Sequence, residues 1–235
     1  MSEALARGFP ATRHSALELA RSPDAAQRKR GLRTLSAAYW RPVYGYLRLH
    51  WRKPHEEAAD LTQDFFAELL EKDLLARFDA SRARLRTWLR VCVDGLVSNH
   101  EKAAARQKRG GGAGAFDFDQ ARAEVERENP VESPEARFEK EWARAVFAMG
   151  LSRLRERCER DGKAQHFALL EQYDLGERPS YAELARRFGI AVTDVTNRLA
   201  WARRELRATV LEVLGELTAG EAEFRQEARA LLGLE

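Results

Sequence analysis

The sequence has few cysteines and no long apolar run. Its 235 residues contain two cysteines, Cys92 and Cys158, which excludes a disulfide framework and favours a reducing, cytoplasmic location. Cys158 and His166 lack the second pair of ligands that a zinc site requires, so we predict no metal and no cofactor. No stretch approaches the roughly 18 apolar residues of a membrane span, and the first residues lack the apolar core of a signal peptide. We therefore expect no membrane insertion.

The chain also has little excess of charge of one sign. Lys and Arg number 40 against 37 Asp and Glu, a net charge of +3. Clusters of arginine are compatible with a polyanionic partner, but this net charge alone does not establish nucleic-acid binding. No acidic cluster at metal-binding spacing accompanies the basic segments, which disfavours a helical nucleic-acid enzyme. We therefore predict a protein that is not an enzyme.

Apolar residues recur at helical spacing along nearly the whole chain, and no segment alternates long enough to predict a strand. The predicted fold class is all-α. One helix follows the stripe from Leu32 to Leu47, with Pro42 as a candidate kink. A second helix contains Leu61, Phe65 and Leu69. A long basic helix is predicted from about Leu85 to Arg109, where the glycines at 110–112 stop it.

Residues 110–132 are glycine-rich at first and then acidic, which is typical of a mobile tether. Helical signals return at Ser133, a predicted N-cap followed by Pro134 at the first helical position. We predict two small helical domains joined by a flexible acidic linker. Their ranges are 9–109 for the first domain, 110–132 for the linker, 133–217 for the second domain and 218–235 for a C-terminal extension. In the extension, a short helix either packs on the last domain or binds a regulator, and packing is favoured.

The segment "SYAELARRFGIAVTDVTNRLAWARRELR" predicts two short helices with a tight turn between them. Ser180 and Glu183 form a capping box, and Gly189 permits the left-handed conformation that the turn requires. The second helix, starting at Thr193 or Asp194, has the layout of a recognition helix, in which asparagine reads adenine and arginine reads guanine or holds phosphate. Such a pair also occurs as plain packing in helical proteins. Candidate DNA-contacting positions are Thr193, Thr196, Asn197, Arg198, Trp201, Arg203 and Arg204.

Five segments in order resemble a bacterial RNA polymerase sigma factor of the extracytoplasmic-function (ECF) type, from about Phe9 to Leu214. The resemblance is nearest to the group with "DLTQxFF" and "QKRGG" motifs. The segments are "AAYWRPVYGYLRLH", "EEAADLTQDFFAELLEK", "FDASRARLRTWLR", "NHEKAAARQKRGGG" and the terminal helix pair quoted above.

The resemblance implies a role for each segment. Asp60, Gln63 and Asp64 are the expected residues for binding core RNA polymerase. The terminal helix pair is expected to read the upstream (minus-thirty-five) promoter element. The basic helix is expected to recognise and open the downstream (minus-ten) element through Arg86, Arg90, Asn99, Lys102, Arg106, Lys108 and Arg109.

Core RNA polymerase and promoter DNA are thus the expected partners, and an anti-sigma factor or a Ser/Thr kinase remains open. A stand-alone helix-turn-helix regulator that binds DNA as a dimer is the alternative function.

Several positions are ambiguous or depart from the family pattern. Trp88 is interpreted as core rather than as a wedge that opens DNA, and one of Phe65 and Phe66 as core. Asp94 and Gly95 stand where many relatives carry Asn or Arg, so a base-capture pocket cannot be transferred. Ala59 replaces an acidic residue common in relatives, and a phosphate on neighbouring Thr62 would restore negative charge. Thr62 is therefore a candidate regulatory phosphosite, expected to be partly exposed.

Overall fold

A computed structural model describes residues 15–71, 74–109 and 133–233, with the backbone alone at 104 and 106–109. These residues form α-helices, one short 3₁₀ helix at Leu74–Arg77 and no strand, so the all-α prediction is confirmed for them. None of the described helices is long and apolar enough to cross a membrane. The α-helices are α1 (Ala16–Ala20), α2 (Ala25–Leu49), α3 (His55–Glu71), α4 (Leu85–Arg109), α5 (Pro134–Arg160), α6 (Ala164–Asp174), α7 (Tyr181–Phe188), α8 (Val192–Leu217) and α9 (Glu221–Leu232).

Local capping signals in the sequence locate several helix ends. The Ser133 hydroxyl accepts from the Ala136 amide at 3.1 Å, with Pro134 in the first turn of α5. Ser180 and Glu183 form the predicted capping box of α7, and Gly189 ends that helix at φ 63°. The structure confirms these predictions. Such helix ends can be predicted from sequence because both partners of each capping contact lie within a few residues of each other.

Helices α2, α3 and α4 bury the apolar stripes that the sequence predicted. Leu35, Val43, Phe65, Leu89 and Val97 are all at most 1 % exposed. Helix α2 continues through Pro42 and begins at Ala25, seven residues before the predicted stripe.

The short helix α1 lies across α2 at Gly31. An added Cβ there would stand 2.3 Å from the Ala20 amide nitrogen and 2.5 Å from the Ala16 carbonyl oxygen. The missing side chain therefore permits backbone to approach backbone.

A single apolar cluster joins the two predicted domains. Phe138 and Val146 of α5 are buried against α2, and the Phe138 ring meets the Tyr46 ring edge-on at 6.1 Å. Val213 of α8 and Phe224 of α9 belong to the same cluster. The sequence pattern did not indicate this contact. The predicted linker, 110–132, lies outside the described residues, and the division into domains stays a prediction.

Candidate functional site

One face of α3 carries the three residues predicted to bind polymerase. Asp60, Gln63 and Asp64 follow the spacing i, i+3, i+4, which places them together on one side of a helix, and all three are exposed. The opposite side packs into the core through Leu61 and Phe65. The result is an acidic, solvent-facing surface on a helix whose opposite side is packed in the core.

An apolar patch adjoins this acidic face. Trp40 of α2 is 40 % exposed and stacks on Phe66 at 5.7 Å, and Leu70 lies one turn further along α3 with 53 % exposed. Phe65 is the core member of the phenylalanine pair, as one of the two was expected to be. The sequence alone does not locate Trp40, because an aromatic residue at helical spacing suits core and surface equally.

Thr62 does not have the exposure that the phosphosite hypothesis requires. Its side chain is 0 % exposed, and its hydroxyl donates to the Ala58 carbonyl oxygen at 2.6 Å. The expectation of partial exposure is wrong: Leu61 and Thr62 both fall on the core side of α3. A kinase cannot reach this hydroxyl while α3 stays packed, so we do not retain Thr62 as a regulatory site.

The first half of α4 is covered by acidic residues from later in the chain. Arg86 is 8 % exposed, with one guanidinium nitrogen 2.6 Å from a Glu139 carboxylate oxygen and another 2.9 Å from Glu227. Its guanidinium lies over the Trp142 ring, 4.7 Å from the centroid. Arg90 is 4.0 Å from a carboxylate oxygen of Glu135. Arg86 therefore does not present the open DNA-facing guanidinium that the sequence predicted.

Two of the predicted minus-ten residues lie in the described part of the second half of α4. Asn99 and Lys102 are exposed. The side chains of the other three predicted minus-ten residues, Arg106, Lys108 and Arg109, lie outside the described part of the chain. Trp88 is half-buried and packs against the Phe78 ring at 5.5 Å, which agrees with a core role.

Asp94 connects α4 to the end of α2. Its carboxylate accepts from the Trp51 indole nitrogen at 2.9 Å and from the Tyr46 hydroxyl at 3.3 Å. Burial raises the pKa of Asp94 above its ordinary value, although both hydrogen bonds act in the opposite direction. Asp94 is therefore a structural junction between α4 and the end of α2.

Helix α8 presents part of the predicted recognition surface. Thr193, Thr196, Asn197 and Arg204 are exposed, while Val195 and two further apolar residues at helical spacing, Leu199 and Ala202, are buried, as predicted. The helix begins at Val192, one residue before the predicted start. Thr193, Asn197 and Arg204 share one face, since their spacings of four and eleven residues correspond to nearly whole turns.

The remaining α8 candidates contact neighbouring helices. The Arg198 guanidinium donates to the Gln165 side-chain oxygen, and Arg203 makes a two-pronged contact with Asp174 at 2.8 Å for each pair of atoms. That contact raises the pKa of Arg203 further above its ordinary value. Trp201 contacts the Lys163 ammonium, 4.2 Å from its ring centroid, and meets the His166 ring edge-on at 4.9 Å. These three side chains stabilise the flank of α8.

The described residues contain no group of histidine, cysteine or acidic side chains that could hold a metal ion. Burial raises the pKa of both thiols, Cys92 to about 11, so neither is an activated nucleophile.

Comparison with known protein families gives a match to one part of the chain. Residues 35–107 match the family model described as sigma-70 region 2. The match runs from Leu35 in α2 through the acidic face of α3 and most of α4, and it excludes α5 to α9. No curated protein and no solved structure matches the chain significantly.

Proposed function

We propose, on the premise that the sigma-70 region 2 match supports a sigma-70 family RNA polymerase sigma factor, that this chain binds core RNA polymerase and directs promoter-specific initiation. Its partners are core polymerase and promoter DNA, and the polymerase supplies the catalysis. We further assign it to the ECF type and expect it to act in the cytoplasm.

The observation that carries the proposal is the acidic face of α3 inside the matched segment. Asp60, Gln63 and Asp64 are exposed together, and the apolar pair Trp40 and Phe66 lies beside them. Exposed polar side chains beside a partly exposed aromatic pair are typical of protein interfaces. This acidic surface is suited to a basic partner surface on core polymerase, and nothing in the described part of the chain covers it.

Promoter reading is assigned to two further surfaces. Thr193, Asn197 and Arg204 form the exposed face of α8 that would enter a major groove at the upstream element. Asn99 and Lys102 form the exposed part of α4 that would contact the opened downstream element. Both surfaces combine hydrogen-bonding and cationic groups, as base contact and phosphate contact require.

Reconstitution with core polymerase tests the proposal. The purified chain should co-elute with core RNA polymerase, and the holoenzyme should produce discrete transcripts from fragmented genomic DNA that core alone does not produce. Asp60→Asn with Asp64→Asn should abolish co-elution while leaving the circular dichroism spectrum unchanged.

The matched control is Glu159→Gln with Glu177→Gln, which removes the same charge from exposed positions on α5 and before α7. The control should bind core as the parent does. Failure of the parent chain to bind core, together with sequence-specific binding to duplex DNA on its own, would establish the stand-alone regulator instead.

A further inference from the structure

Helix α9, the C-terminal extension, lies on the start of α4. Glu227 of α9 is 1 % exposed and contacts two arginines of this region, Arg86 at 2.9 Å and Arg84 at 3.5 Å. Glu223, one turn earlier, accepts from the Leu85 amide at 3.0 Å. The first turn of a helix carries unpaired amides and a partial positive charge. Two carboxylates of α9 therefore occupy a cationic site at the beginning of α4.

Helix α5 contacts the same group of arginines. Glu139 contacts Arg86 at 2.6 Å, Glu135 lies 4.0 Å from Arg90, and the Trp142 ring lies under the Arg86 guanidinium. A carboxylate from the second half of the chain thus faces Arg84, which directly precedes α4, and both arginines in the first half of α4, Arg86 and Arg90. Carboxylates and DNA phosphates are recognised by the same guanidinium and amide groups.

The buried contact is incompletely satisfied. The Glu227 oxygen nearest Arg86, Oε2, and the Arg86 Nε both lack an aligned hydrogen bond among the described residues. Burial raises the pKa of Glu227 although both arginines lower it, so desolvation outweighs the attraction. Such a pair contributes little net stability and is costly only when one partner is left alone. A phosphate arriving at the arginines would replace the carboxylate without leaving a guanidinium unpaired.

We propose that α9 is an intramolecular inhibitor that holds the start of α4 away from DNA, through Glu223 and Glu227, until core polymerase binds. The inference rests on the proposed sigma function. The acidic face of α3 stays exposed in this closed arrangement, so polymerase can dock first. Binding of core then releases α9 and the second half of the chain, and the arginines of α4 become available to the promoter.

DNA binding by the full chain without polymerase tests the inhibitor. The probe is a short fluorescent single-stranded DNA, followed by anisotropy. Glu223→Gln with Glu227→Gln should lower the dissociation constant by about tenfold or more, the factor expected when a closed state populated about nine-tenths of the time is released. The control, Glu221→Gln with Glu177→Gln, removes equal charge from exposed positions and should bind as the parent does. Equal or weaker DNA binding by the first variant, with a lower unfolding midpoint, would make α9 a structural support and overturn the proposal.

Hydrogen exchange on the unmodified chain provides a second test of the inhibitor, which does not depend on whether the variant folds. Amides of α9 and of the first turn of α4 should exchange faster when core polymerase is added. Unchanged protection of α9 in a complex that transcribes would overturn the inhibitor and leave the sigma function intact. Absence of any complex with core would instead overturn the proposed function.

Discussion

At the residue scale, substitutions of Thr62 test whether its hydroxyl is buried. Thr62→Val keeps the shape and removes the bond to the Ala58 carbonyl oxygen, at an expected cost of about 1 kcal/mol. Thr62→Glu places a larger, charged side chain in the core and should cost about 3 kcal/mol or more. Urea unfolding of both variants measures the difference. A Glu variant as stable as the parent would contradict the buried position.

A second residue-scale prediction concerns His166, whose ring lies against Trp201. Burial, with smaller effects from Arg198 and Lys163, lowers the pKa of His166 below 6.5. A group with a lowered pKa resists protonation in the folded state, so its contribution to stability is present above pH 6.5 and is lost as the pH falls through the folded pKa. Between about pH 7.5 and about pH 5.5, the parent should lose more unfolding free energy than His166→Gln.

The comparison between these two proteins isolates His166. Burial also lowers the pKa of His50, which adds to the acid loss, while burial raises the pKa of Asp94 and of Glu227, which opposes it. These groups are present in both chains, so their effects cancel in the difference. Equal acid losses in the two proteins would show that His166 titrates normally.

At the element scale, local signals in the sequence were sufficient to predict helices and some of their ends. Ser180, Glu183 and Gly189 act on neighbours within one or two turns, so their pattern determines α7 almost independently of context. The environment of Arg86 was not predictable in this way. Glu223 caps the start of the helix that carries Arg86, and its hydrogen bond with the Leu85 amide joins positions 138 residues apart. A basic residue on a basic helix gives no local sign of partners so distant in sequence.

Gly31 makes the contact between α1 and α2 testable. Gly31→Ala would place a Cβ against backbone atoms of Ala16 and Ala20 that cannot rotate away, and should destabilise the fold by about 1 to 3 kcal/mol. Gly45→Ala in the same helix meets no atom within 4 Å and should be neutral or stabilising by up to about 1 kcal/mol. Urea unfolding compares the two, and equal effects would refute the close crossing.

Two residues on the exposed face of α8, Asn197 and Arg204, should affect DNA binding in different ways. Asn197→Ala should relax preference at one base pair of the upstream element and cost about 1 to 3 kcal/mol of binding free energy, whereas Arg204→Ala should weaken binding to all sequences and flatten its salt dependence. Holoenzyme binding to a library of upstream sequences measures both effects. Uniform, sequence-blind losses from both variants would contradict base reading by Asn197.

At the scale of the whole molecule, the shared core predicts cooperative unfolding of the free chain. Phe138→Ala removes an aromatic ring from the contact between α5 and α2 and should cost about 3 to 5 kcal/mol. Leu175→Ala, at a position 54 % exposed, should change the free energy of unfolding by no more than about 0.5 kcal/mol.

The parent should give coincident urea transitions by circular dichroism and by hydrogen exchange of α2. Two separated transitions would instead support independent domains.

The position of Trp142 gives the closed state an optical signature. Trp142 is 3 % exposed and belongs to the shared apolar cluster. An indole in such a dry environment emits at short wavelength, and the Arg86 cation over its ring perturbs the excited state. Separation of α5 from α4 would admit water, shift this emission to the red and remove the cation. A chain retaining Trp142 as its sole tryptophan would therefore report opening in real time, without an attached dye.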